Sequence, residues 1–173
     1  MEFPGVNINK ILYTTDLSEN ARDAFAYAAS LANLYKAGLT ILHVIAEDPG
    51  FDEKVIGHVS AERWAKIKEQ HFQEAQETLT GKLRGGMAIK AVLDRFCEKA
   101  QVEGCTFETD EILVLKGNPV EQILATAESK ASDLIVMGSH GYGTLKDAMM
   151  GGTARRVLRR AKVPVLLVRL PPE

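Results

Sequence analysis

A chain of 173 residues is long enough to bury a sizeable core, and 46% hydrophobic with 25% charged residues is an ordinary globular balance. A formal net charge of −2 gives no bulk attraction to nucleic acid or to an anionic membrane surface. No apolar run approaches the length of a membrane span, and the opening Met1 to Gly5 lacks the basic and apolar regions of a signal peptide. A cytoplasmic location is the expectation. Cys97 and Cys105 form no C-x-x-C pair, so free thiols are expected rather than a disulfide or a metal site.

Ile8 to Thr14 is rich in β-formers and reads as the first strand. Thr15-Asp16-Leu17-Ser18 then turns into a helix with Ser18 as N-cap and Glu19 in the first turn. Ala21, Ala24, Phe25, Ala28, Leu31 and Ala32 give that helix one apolar face of small residues, and Gly38 reads as its stop. Leu39 to Ile45 is the second strand. Polar, turn-rich sequence follows, then a charged helical stretch from about Ser60 to Leu83, a break at Gly85-Gly86 and a further helical pattern from Met87 to about Val102. The third strand lies within Thr106 to Leu115, best in Ile112 to Leu115. Asn118 can cap the next helix, Pro119 suits its first position, and Glu121 has capping-box spacing. The fourth strand is the apolar run Asp133 to Met137. The last is Val163 to Val168, where Pro164 hints at a sheet edge. Strands alternating with helices predict a single α/β domain over 1–173, a five-stranded parallel open sheet with helices on both faces.

The stretch from Gly138 to Thr153 lies between the fourth strand and the helical pattern Ala154 to Ala161. Glycines let backbone N–H groups approach an anion, and the amides of a helix start add partial positive charge. Phosphate binding and a plain sharp exit from the strand both account for such a stretch. It is not a G-x-x-x-x-G-K-[ST] loop, and Gly141-x-Gly143 lacks the third glycine of G-x-G-x-x-G.

The spacing Gly138, two residues, Gly141, nine residues, Gly151 resembles the signature of the universal stress protein family, which continues with Ser or Thr where this chain has Gly152 and then Thr153. Lys10 to Ser18 is similar to the family's opening strand and Asp-x-Ser turn, Leu42-His43-Val44 to the end of its second strand, and Gly117-Asn118-Pro119 to its turn after the third. The resemblance covers Asn9 to Arg169 and implies a Rossmann-like, adenine nucleotide alpha hydrolase-like sheet of order 3-2-1-4-5. Ligands in such sheets bind beyond the C-terminal strand ends, where the order reverses.

The resemblance carries a site for ATP or a related adenine nucleotide onto Thr14, Thr15, Asp16, Val44 and Met137. It continues through Gly138, Ser139, His140, Gly141, Tyr142, Gly143 and Thr144 to Gly151, Gly152 and Thr153. Mg2+ or Mn2+ would be held through the phosphates. It implies that Asp16 accepts from a ribose hydroxyl or the base, although an acid there also suits a helix cap. It implies that the backbone of Val44 bonds adenine, with Thr14 standing where the family often has proline. Gly152 offers an N–H but no hydroxyl, and a hydrogen bond to charged phosphate is worth about 1.5–3 kcal/mol.

No convincing base or water-positioning residue is visible, so at most slow ATP hydrolysis is expected. His43, His58 and His71 show no metal-ligand spacing, and no catalytic or metal residue is assigned. Arg155, Arg156, Arg159 and Arg160 read as a solvated face rather than a nucleic-acid surface. The family resemblance implies a homodimer through the last strand and a stress-response or signalling role with an unidentified protein partner. The alternative is a nucleotide-independent homodimeric interaction module, for which Gly152 and Thr14 argue.

Overall fold

The computed structural model describes residues 5–17, 21–46, 109–139 and 150–169, with further helical positions between 62 and 73. The elements are β1 (Lys10–Thr15), α1 (Ala21–Tyr35), β2 (Gly38–Ala46), β3 (Thr109–Gly117), α2 (Pro119–Ser129), β4 (Leu134–Gly138), α3 (Gly152–Arg160) and β5 (Val165–Val168). The strands form one sheet of order β3-β2-β1-β4-β5, with every neighbouring pair parallel. The expected order and the five strands are therefore present.

Side-chain alternation along each strand builds two cores, one on either face. Ile11, Tyr13, Leu39, Ile41, Leu134 and Val136 pack beneath α1 with Ala24, Phe25, Ala28 and Ala29. The small residues of α1 let it lie close on the sheet, and Tyr13 and Phe25 add a tilted ring contact with centroids 5.2 Å apart. On the opposite face Leu12, Leu42, Ile135 and Met137 pack against Val120, Ile123 and Ala127 of α2 and Ala154 and Val157 of α3. Each fully buried aliphatic side chain here contributes about 1.5–3 kcal/mol relative to exposure.

The helix ends explain two departures from the sequence reading. Gly38 does not stop α1; it is the first residue of β2. The reversal is made by Lys36 at φ 55, with the Ala37 amide donating to Ala32 O at 2.9 Å. Those two features satisfy the helix end without glycine. At α2, Asn118 Oδ1 accepts from Val120 N at 3.0 Å and Glu121 N at 3.3 Å, as a cap should. Glu121 does not complete a capping box. Its carboxylate is gripped from both oxygens by Arg160, at 2.6 and 3.0 Å, because α3 passes alongside and brings a guanidinium fork within reach. Arg160 therefore has an acidic partner and is not simply part of a solvated basic face.

The third strand runs from Thr109 to Gly117, two residues beyond the expected end at Leu115, and β5 begins after Pro164. Pro164 precedes a strand at the sheet's outer position, where a missing N–H costs no ladder bond. The helical positions between 62 and 73 agree with the charged helical stretch. Ser18, the Gly85-Gly86 break, the pattern from Met87 to Val102, and both cysteines lie outside the described residues. No helix of the described residues is long and apolar enough to cross a membrane.

Candidate functional site

At the C-terminal ends of β1 and β4 the chain leaves for opposite faces of the sheet, and a cavity of about 350 Å³ opens between the two exits. That volume is in the range of small-molecule sites. Three kinds of surface line it. Thr14, Thr15 and Asp16 come from the end of β1 and the turn beyond it. Leu42, Val44, Ile123 and Met137 supply apolar wall. Gly138, Ser139, Gly151, Gly152 and Thr153 come from the β4 exit and the start of α3. Of the residues singled out in sequence, Thr14, Thr15, Asp16, Val44, Met137, Gly138, Ser139, Gly151, Gly152 and Thr153 are thus brought together. His140, Gly141, Tyr142, Gly143 and Thr144 lie outside the described residues.

The β1 exit is a built turn. Leu17 adopts φ 64, a left-handed conformation that costs a non-glycine residue about 1–2 kcal/mol. Its amide donates to Thr15 Oγ1 at 3.0 Å, which offsets part of that cost. Tyr13 Oη donates to Ala21 O at 2.6 Å and ties the strand to the first residue of α1. Burial pushes the Tyr13 phenol well above its usual range, so it remains a donor at any physiological pH.

The β4 exit is closed at its base. Gly138 pairs in register with Val168, Ser139 N donates to Val168 O at 2.9 Å, and Gly151 N donates to Ser139 O at 2.8 Å. The Gly151 amide is therefore engaged with the chain. Gly151 is the N-cap of α3, extended at φ −64 and ψ 152, with no side-chain cap. Its carbonyl accepts from Arg155 N, the first helical bond, so the amides of Gly152, Thr153 and Ala154 have no intrahelical acceptor. The three residues that carry these donors line the cavity at the positive end of α3, an arrangement suited to an anion.

Gly152 lacks a hydroxyl, but not for want of room. A Cβ there would meet nothing within 4 Å. Asp16 is the one carboxylate among the described residues that line the cavity. Among the described residues no group of three or more His, Cys, Asp or Glu is placed to hold a metal ion. Chemically, the cavity offers an apolar slot, one carboxylate as hydroxyl acceptor, and an amide cradle.

Sequence comparison matches residues 7–169 to the universal stress protein family. The chain belongs to the universal stress protein family. Within it, this protein is 32% identical to universal stress protein YxiE of Bacillus subtilis over 161 residues, covering 93% of this chain and 99% of the relative. It is 29% identical to universal stress protein MJ0577 of Methanocaldococcus jannaschii over 165 residues, covering 95% and 96% of the two chains. The solved structure of hypothetical protein MJ0577 superposes with a TM-score of 0.68 at 26% identity, covering 97% of this chain and all of the other. The fold is shared with a universal stress protein in complex with cAMP, at TM-score 0.52 and 23% identity over 94% of this chain. It is also shared with the Archaeoglobus fulgidus protein in complex with dAMP, at TM-score 0.53 and 19% identity over 94%.

Leu42, Ala46, Pro119, Ile123 and Ala154 also line the cavity and were not singled out in sequence. Pro119 carried a signal only for the helix start. The place of Pro119 and Ile123 on the cavity wall follows from α2 packing on β2 and β3, which spacing alone does not encode.

Proposed function

We propose that this universal stress protein binds ATP or a related adenine nucleotide in the cavity between the β1 and β4 exits and acts as a stress-response module. The observation that carries the reading is the convergence on one cavity of the first turn of α3 at Gly152, Thr153 and Ala154, whose amides have no acceptor within the helix, the Asp16 carboxylate, and the apolar wall of Leu42, Val44, Ile123 and Met137. The phosphates would lie on the amides, the base against the wall, and a ribose hydroxyl would donate to Asp16. The family relatives in complex with cAMP and dAMP lend support at the level of the fold. A divalent ion would be held through the phosphates, because the described residues of the cavity wall supply a single carboxylate for it. Little or no hydrolysis is expected, since that carboxylate is assigned to the nucleoside end and no second base lines the cavity among the described residues. As an outer strand of the sheet, β5 is the edge through which a homodimer would pair.

The test is calorimetric titration of ATP with magnesium into the purified protein and into Gly152→Pro. Proline is well tolerated at a first helical position, and it deletes one of the three donors. Saturable binding that the variant weakens at least tenfold supports the reading. A folded, nucleotide-free protein that gives no heat overturns it. Gly152, which withholds the hydroxyl expected at this point, would then favour a nucleotide-independent interaction module.

A further inference from the structure

His43 stands behind the candidate site rather than in it. Along β2, Leu42 and Val44 pack toward α2 and α3 and line the cavity, whereas Ile41 belongs to the core under α1 and His43 follows it onto that face. His43 is paired in register with Thr15, and its Nδ1 lies 2.8 Å from the Thr15 carbonyl oxygen. A carbonyl only accepts, so Nδ1 carries the hydrogen and donates. The register between β1 and β4 ends at Thr14 and Met137, so among the described residues Thr15 is paired in register with β2 alone.

Thr15 is thus held twice. Its carbonyl is fixed by His43, and its Oγ1 accepts from Leu17 N at 3.0 Å. Asp16 lies between those two anchors, in a turn that already holds Leu17 at a left-handed φ of 64. A strained turn keeps its geometry only when surrounding bonds over-determine it. Partial burial also holds the His43 imidazole below its usual range, more strongly than the Thr15 carbonyl and the Asp16 charge raise it, so the neutral ring is the resting form at pH 7.

We propose that His43 is a positioning residue for the nucleotide site: from the opposite face of the sheet it fixes the Thr15 carbonyl and thereby aims Thr15 and Asp16 into the cavity. The proposal rests on the adenine-nucleotide reading of that cavity. It acts through geometry, so a side chain that places a donor at the same point should substitute for it. Asparagine does, with its amide nitrogen close to the position of Nδ1. Leucine fills space without a donor, and glutamine carries its donor one bond too far.

The test has two readouts on the full chain. The first is the Kd for magnesium ATP in wild type, His43→Asn, His43→Leu and His43→Gln. The second is amide hydrogen exchange at Leu17 in the same proteins without nucleotide. The expected result is a roughly 5- to 10-fold weaker Kd in His43→Leu and His43→Gln, the loss of one ordinary hydrogen bond. His43→Asn should stay close to wild type, and Leu17 exchange should accelerate only in the two variants without a placed donor. If His43→Leu does not fold, His43→Gln set against His43→Asn carries the comparison. Unchanged affinity without the donor, or equal weakening in asparagine and leucine, overturns the proposal. If wild type binds no nucleotide, the functional reading falls alone, and the exchange at Leu17 still decides whether His43 holds the turn. Unchanged exchange there overturns the positioning role.

Discussion

Thr14 and Met137 sit opposite each other in register on β1 and β4, and the segments that leave this pair turn to opposite faces of the sheet. α1 covers one core and α3 the other. The cavity lies at the ends of these two strands, and Thr14 and Met137 both line it. A switch in strand order is thus converted directly into a concave surface.

Gly152→Ser should tighten magnesium ATP binding. A Cβ at this position has open space, so the hydroxyl enters without rearrangement. One added hydrogen bond to phosphate is worth about 1.5–3 kcal/mol, and immobilising the side chain offsets a part of it, leaving a several-fold gain in Kd measured by calorimetry. An unchanged or weaker Kd would mean that phosphate does not reach the start of α3.

Asp133→Ala should destabilise the fold without touching affinity. Its Oδ2 accepts from Asn9 N at 2.8 Å and Lys10 N at 2.9 Å, at the edge of the sheet away from the cavity. Losing a carboxylate with two backbone donors should lower unfolding free energy by about 1–3 kcal/mol in urea titration. A change in Kd larger than the experimental error would refute the separation of the two edges.

Removing the cap of α2 has a similar character but a different address. Asn118→Ala strips the acceptor from Val120 N and Glu121 N and should cost about 1 kcal/mol, read from the denaturant midpoint. Because Pro119 lines the cavity, this variant should also weaken nucleotide binding modestly, by less than Gly152→Pro does.

Acidification should reveal His43. Its imidazole is held below 6.5 in the folded chain, so below that pH the unfolded chain binds a proton that the folded chain resists. Stability is therefore lost as pH falls from 6.5 toward the folded value and is recovered as pH rises. His43→Asn should flatten that slope in a series of urea titrations between pH 7 and pH 5. Equal slopes in the two proteins would show that the ring is not shielded.

What was legible in the sequence follows from what local chemistry can encode. The apolar runs of β1 and β4, the small-residue face of α1, and Asn118 before Pro119 each state their own structure, because strands, helices and caps are decided within a few residues. The strand order came instead from family resemblance, since no periodicity says which strand lies beside which. Where local rules failed, a distant partner had intervened. Glu121 was drawn from its cap spacing to Arg160, 39 residues further on. Lys36 took the left-handed position that Gly38 suited better by type. His43 entered the sequence reading only as part of the Leu42-His43-Val44 resemblance, because its contact with Thr15 depends on the register between β1 and β2.

Asp133 fastens backbone groups at one rim of the sheet, while the cavity occupies the other, at the far ends of the same strands. Strength and shape are therefore written at opposite rims. A change at Asp133 removes bonds that hold strands together, whereas a change at Gly152 alters the lining of a concavity and leaves those bonds in place. The lining can be altered without loosening the frame that presents it.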